Sequence, residues 1–159
     1  MQPRSLLVVL ILFSSAQSSL ACERSAPAQF QIDPNRQGLD DVPPGKVEAE
    51  LTELEPGDGP FCVGDSHAIL RITKSSDDRT PYDELGFTVR VIDGDAPTSL
   101  YQPEYLIRSV DGAITLMWGV GRKTPIPAVD FSVEISATDR AGNQGPASDP
   151  IRIHHAQVD

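Results

Sequence analysis

Of 159 residues only 2 are cysteine, 6% are aromatic, and tryptophan occurs once. Two thiols are too few for a disulfide-dense mini-scaffold or a four-thiolate zinc site. Basic residues are scarce as well: 13 Lys+Arg stand against 23 Asp+Glu, a formal net charge of −10. A chain of that sign repels phosphate backbones, so nucleic acid is not an expected partner. No apolar run approaches the roughly 20 residues that a spanning helix needs, so no transmembrane span is expected in the mature chain. Proline and glycine are plentiful, at 14 and 12 residues.

The first residues read as an address. Arg4 supplies one positive charge, residues 6–13 are unbroken apolar, and small polar residues lead to Ser19-Leu20-Ala21. That is the order of a secretory signal peptide spanning 1–21, with cleavage after Ala21. A buried core helix of the same length is the competing reading, but the run has no amphipathic period. The chain is therefore expected to be exported, to a secreted or extracytoplasmic location (periplasm or cell surface). Cleavage would remove Arg4 and no acid, leaving a mature chain one unit more negative. Its length suits a single domain.

Cys22 would then be the first mature residue, and two fates stay open. Residues 18–22 resemble the lipobox of bacterial lipoproteins, with Ser19 at the position where Leu is preferred. A lipidated Cys22 would anchor the protein to a membrane, the one route to membrane association. Alternatively Cys22 pairs with Cys62 in an oxidising compartment. A disulfide closing a loop of about 40 residues would constrain the unfolded chain by roughly 3–4 kcal/mol.

Residues 22–45 carry Pro27, Pro34, Pro43 and Pro44 and cannot hold a helix. They read as a lead-in strand or tether, with Phe30 and Ile32 available to pack on a domain edge. From residue 46 the pattern becomes short alternating runs at 47–51, 68–72, 87–91, 105–110, 113–118, 131–137 and 151–153. Period-two alternation puts one face in a core and the other in water. Turn chemistry separates the runs: residues 56–60, Asp93-Gly94 as a strand stop, and Asp111-Gly112 as a two-residue hairpin turn. Seven strands at this spacing predict a single all-β domain over 46–155, an antiparallel sandwich, with 156–159 as a tail. The expected core includes Leu70, Ile72, Phe87, Val89, Val91, Leu116, Trp118, Phe131, Val133 and Ile135. No amphipathic helix and no internal repeat is found.

Residues 125–153 carry Pro127, an aromatic at Phe131, alternating Val133 and Ile135, Ala137, a turn at Gly142-Asn143, and Ser148. This stretch resembles the last two strands of a fibronectin type III domain, a relative of the immunoglobulin-like sandwiches. The resemblance implies a fibronectin-type sandwich; from the chain as a whole, no enzymatic activity and no cofactor are expected. It is looser over the preceding sixty residues: Pro125 stands where the family has Leu, and Ile72 where it commonly has Trp. The Arg-Gly-Asp tripeptide is absent, so integrin-type recognition is not implied.

Several stretches carry residues suggestive of chemistry. Gly64-Asp65-Ser66-His67-Ala68 approaches a nucleophile elbow, but a strand follows Ser66 where a helix is required. Adjacent strand residues face opposite ways, so Ser66 and His67 are not expected to form a dyad. Asp93-Gly94-Asp95 with Glu104 mimics a calcium loop, yet Pro97 and Thr98 occupy positions that need a ligand and a glycine. Asp139 and Asn143 are weak Ca²⁺ candidates, and turn formation explains both. His154 and His155 should diverge along a strand end, and no cluster completes a metal site. The function expected is therefore a binding, adhesion or spacing module whose partner is an unidentified protein or glycan. A lipoprotein anchored through Cys22 in an envelope assembly is an alternative. A small secreted hydrolase or metal-dependent enzyme is the rival from another class.

Overall fold

The computed structural model describes residues 27–39, 41–57, 65–75, 80–120 and 125–159. Six continuous strands follow in order: β1 Val47–Glu55, β2 Asp65–Ser75, β3 Gly86–Asp95, β4 Ala113–Gly119, β5 Val129–Thr138 and β6 Ile151–His155. Their one helical companion among the described residues is a 3-10 turn at Tyr82–Glu84. The strands form two three-stranded sheets, β1-β2-β4 and β3-β5-β6, and every pairing is antiparallel. The fold is all-β.

Alternation along the strands explains why two sheets form. β5 turns Val129, Phe131, Val133, Ile135 and Ala137 inward, and β2 and β4 answer with Ala68, Leu70, Ile72, Ile114, Leu116 and Trp118. These residues make one contiguous core. Across the gap the Trp118 and Phe131 rings meet edge to face, with centroids 6.0 Å apart and planes at 85°. Leu70, Ile72, Phe87, Leu116, Trp118, Phe131, Val133 and Ile135 are buried. Val89 and Val91 are half-buried, on a stretch of β3 where β5 is the only continuous neighbour.

The run at 105–110 joins β3 through single bridges, Ile107 pairing with Phe87 on one side and Gln29 on the other. Asp111 and Gly112 then turn with φ of 51° and 71°, the doubly positive geometry of a two-residue hairpin. Only Val110 and Ala113 pair across that turn. Beyond it the two arms part, because Ile107 and Ile114 enter the core from opposite sheets.

Asp93-Gly94 is not the strand stop read from the sequence. β3 continues to Asp95, with an irregularity between Val91 and Asp93 that leaves Ile92 unpaired. Two residues beyond the irregularity, Gly94 takes φ 81°, a conformation that glycine adopts without steric cost. A Cβ there would stand 2.8 Å from the Phe131 Cα, so the two backbones pass too closely for any side chain. A similar slip in β1 between Leu51 and Glu53 skips Thr52. It lets both Leu51 and Leu54 reach the core side although their spacing breaks the period of two.

The Pro-rich lead-in lies against the domain. Phe30 is buried, and its N–H donates to the Leu106 carbonyl at 2.8 Å. On the β4 edge, the Tyr101 N–H bonds the Met117 carbonyl at 2.9 Å and Ser99 Oγ bonds that of Gly119 at 2.7 Å. Covering segments of this kind blunt strand edges that would otherwise pair with other chains. Phe131→Ala should cost about 3–5 kcal/mol, because it removes both apolar burial and the edge contact with Trp118. Ile92→Ala, on the bulge, should cost well under about 1 kcal/mol. Urea unfolding of the two variants measures the contrast.

Candidate functional site

The start of β2 buries three polar residues in succession, Asp65, Ser66 and His67. Ser66 has the parity of Ala68 and Leu70 and faces the core, opposite Trp118 in the β2–β4 register. Its Oγ accepts the Gly57 N–H at 2.9 Å, which ties the end of β1 to the start of β2. His67 faces the other way. It is only 2% exposed, and its Nε2 lies 2.8 Å from Glu53 Oε1 on the neighbouring strand. Serine and histidine thus sit on opposite faces with separate partners, and no nucleophile–base pair forms between them. The Glu53 contact was not legible in the sequence, because the slip at Thr52 sets which glutamate reaches His67.

Asp139 and Asn143 do come together. The buried Asp139 carboxylate accepts the Asn143 backbone N–H at 2.9 Å and the Asn143 side-chain amide at 3.0 Å. The Asp139 N–H in turn donates to the Asn143 carbonyl at 3.1 Å. Both carboxylate oxygens are engaged in closing the turn after β5, as Asx turns do. Among the described residues no group of three His, Cys, Asp or Glu side chains is placed to hold a metal ion.

His154 and His155 do not converge. His154 lies on the exposed face with Nδ1 3.7 Å from Asp130 Oδ2, whereas His155 Nδ1 is 2.8 Å from the Ala156 carbonyl. The dominant partner of Asp130 is Arg152, whose Nε and Nη2 donate to its two oxygens at 2.8 and 2.7 Å. Those hydrogen bonds hold the Asp130 carboxyl below its usual value, and the Arg152 and His154 charges add to the effect. Asp93 and Asp95 belong to the exposed end of β3, and Glu104 to an exposed loop. A second forked pair, Arg90 to Glu134 at 2.6 and 2.9 Å, lies on the same outer sheet face.

The enclosed space is small. One cavity of about 20 Å³, room for about one water, lies beneath Leu100, Tyr105 and Ile107. An open groove of about 220 Å³ runs past Asp95, Ser99, Trp118 and Ala128 at the end of the sandwich where β3 and β4 finish. Cys22 and Cys62, with the disulfide and lipidation readings, lie outside the described residues, as does the signal segment.

The fold thus defines an all-β, two-sheet protein in which the buried Ser66, His67 and Asp139 side chains bond neighbouring turns and strands. No protein-family model matches the chain, and no curated protein matches it in sequence.

Arg152→Gln should return the Asp130 carboxyl toward its ordinary value near 4. The sign follows from the depressed folded value. The pair contributes stability above the unfolded carboxyl value, and that contribution is lost as pH falls through the lower folded value. Carbon-detected NMR titration of Asp130 in the two proteins measures the shift; an unchanged midpoint would refute this account of its cause.

Proposed function

We propose that this chain is a non-enzymatic, exported β-sandwich module of the fibronectin type III kind, acting by binding or spacing. The observation that carries the reading is strand order. In chain order the first two strands and β4 make one sheet, and the third, fifth and sixth make the other. This is the crossing pattern of immunoglobulin-related sandwiches. The intervening run at 105–110 bridges β3 at Phe87 and meets β4 only at the connecting turn, through Val110 and Ala113. The constant immunoglobulin arrangement has its fourth strand on the first sheet, so this placement favours the fibronectin branch. Modules of this build engage partners through the loops at the sandwich ends or through a free sheet edge. The partner classes that suit an exported acidic module are another envelope protein or a glycan.

The rival hydrolase needs nucleophile, base and oxyanion donors converging on one point. Ser66 and His67 instead serve Gly57 and Glu53 on opposite faces of β2. The purified chain should therefore show no turnover of an activated ester such as p-nitrophenyl acetate above a heat-unfolded control. Turnover abolished by Ser66→Ala would overturn the non-enzymatic reading.

Export is tested separately. The intact mass of the extracytoplasmic protein should begin at Cys22, and retention of residues 1–21 would sink the proposal. The same spectrum separates the fates of Cys22. A mass two daltons below the reduced form indicates pairing with Cys62, and an acyl increment indicates the lipid-anchored alternative.

A further inference from the structure

Residues 27–33 form an arm that completes one edge of the β3 sheet. Among the described residues it is held by Phe30 N–H to Leu106, Arg108 N–H to Ala28 and Asp33 N–H to Arg140, each 2.8 Å, and by the Tyr105 hydroxyl to the Pro27 carbonyl at 3.3 Å. One side chain anchors it. Phe30 is buried, and the guanidinium carbons of Arg108 and Arg140 lie 5.8 and 5.9 Å from its ring centroid. Gly86 forms the floor of the slot, where an added Cβ would stand 2.6 Å from Phe30 Cγ. The slot is therefore shaped for an extended segment bearing one aromatic ring, a hydrophobic and cation–π anchor over glycine.

The connector from the arm to β1 behaves differently. Pro34 and Pro43-Pro44 bracket it, and a turn using Gly38 at φ 74° folds it back. Leu39 is 81% and Val42 53% exposed, among the most exposed large apolar side chains of the described residues. An arm with a single buried anchor, joined to β1 by a connector whose Leu39 and Val42 side chains are exposed, has the parts that strand exchange requires.

We propose that the arm exchanges between two copies of this chain, so that Phe30 of each seats over Gly86 of the other. Every arm contact is kept in the exchanged form, so closed and exchanged states differ only in the connector and in the cost of association. In the exchanged dimer the two connectors run past each other, and Leu39 and Val42 of one cover those of the other. That burial is the gain that offsets association. The inference does not depend on the proposed function, since it concerns assembly of the domain whatever it binds.

Two complementary variants test it. Phe30→Ala removes the anchor and leaves the slot; Gly86→Ala fills the slot and leaves the anchor. Each alone should run as a monomer, and an equimolar mixture should give a hetero-species of summed mass by native mass spectrometry, with one arm seated in trans. Absence of that species, with both variants keeping β-type circular dichroism, overturns the proposal. If either variant unfolds, a mixture of ¹³C-labelled and unlabelled unaltered chain decides. Intermolecular contacts between the Phe30 ring and Gly86 support exchange, and contacts confined within one copy refute it.

Discussion

Two sheets packed face to face leave a gap of about 10 Å, and everything that points into it must interdigitate. Here the gap is set by Trp118 from β4 meeting Phe131 from β5 edge to face. The largest side chain in the core can be accommodated because Ser66, its partner in the β2–β4 register, is small. Among the described residues the indole N–H has no hydrogen-bond partner. The bulge at Ile92 and the close pass of Gly94 over Phe131 are further adjustments to that same contact, since they let β3 follow β5 around a bulky ring.

Once the gap is filled, the remaining problem is the strand edges. The molecule solves it unequally. Residues 99–101 lie along β4, and the arm at 28–30 lies along the 106–108 segment. β6 is short, and β1 carries register slips and outward Glu48, Glu50, Glu53 and Glu55. Short strands, irregularities and like charges are the ordinary devices that keep an edge from recruiting another chain. The arm is fastened by one buried aromatic side chain, Phe30.

The polar residues that invite a catalytic reading are absorbed by the architecture. Ser66 ties β1 to β2, His67 is held by Glu53, and Asp139 closes the turn that launches the chain toward β6. Burial makes each hydrogen bond obligatory, because an unpaired polar group in the interior costs more than its bond gains. The exposed forks Arg90–Glu134 and Arg152–Asp130 orient side chains on the outer face, and solvent screening leaves them little weight in stability. At the end of the sandwich where β3 and β4 finish, an open groove of about 220 Å³ runs past Asp95, Ser99 and Trp118.

Much of this was legible in residues alone. Alternation over 131–137 and 68–72 determined which side chains would be buried, because a period of two admits only two faces. Asp111-Gly112 determined a doubly positive turn, because few residue pairs tolerate that backbone. Local pattern could not say that the arms of that turn would part to opposite sheets, since pairing is chosen by which neighbours fill the gap. It could not assign Glu53 to His67, because that register depends on the slip at Thr52, or Asp130 to Arg152, because the choice of β6 as the neighbour of β5 is tertiary. Asp93-Gly94 reads the same in a turn and in a continuing strand; pairing with Ser132 and Phe131 of β5 decided between them. Phe30, met in a proline-rich stretch, became an anchor only because Gly86, distant in sequence, leaves room for its ring.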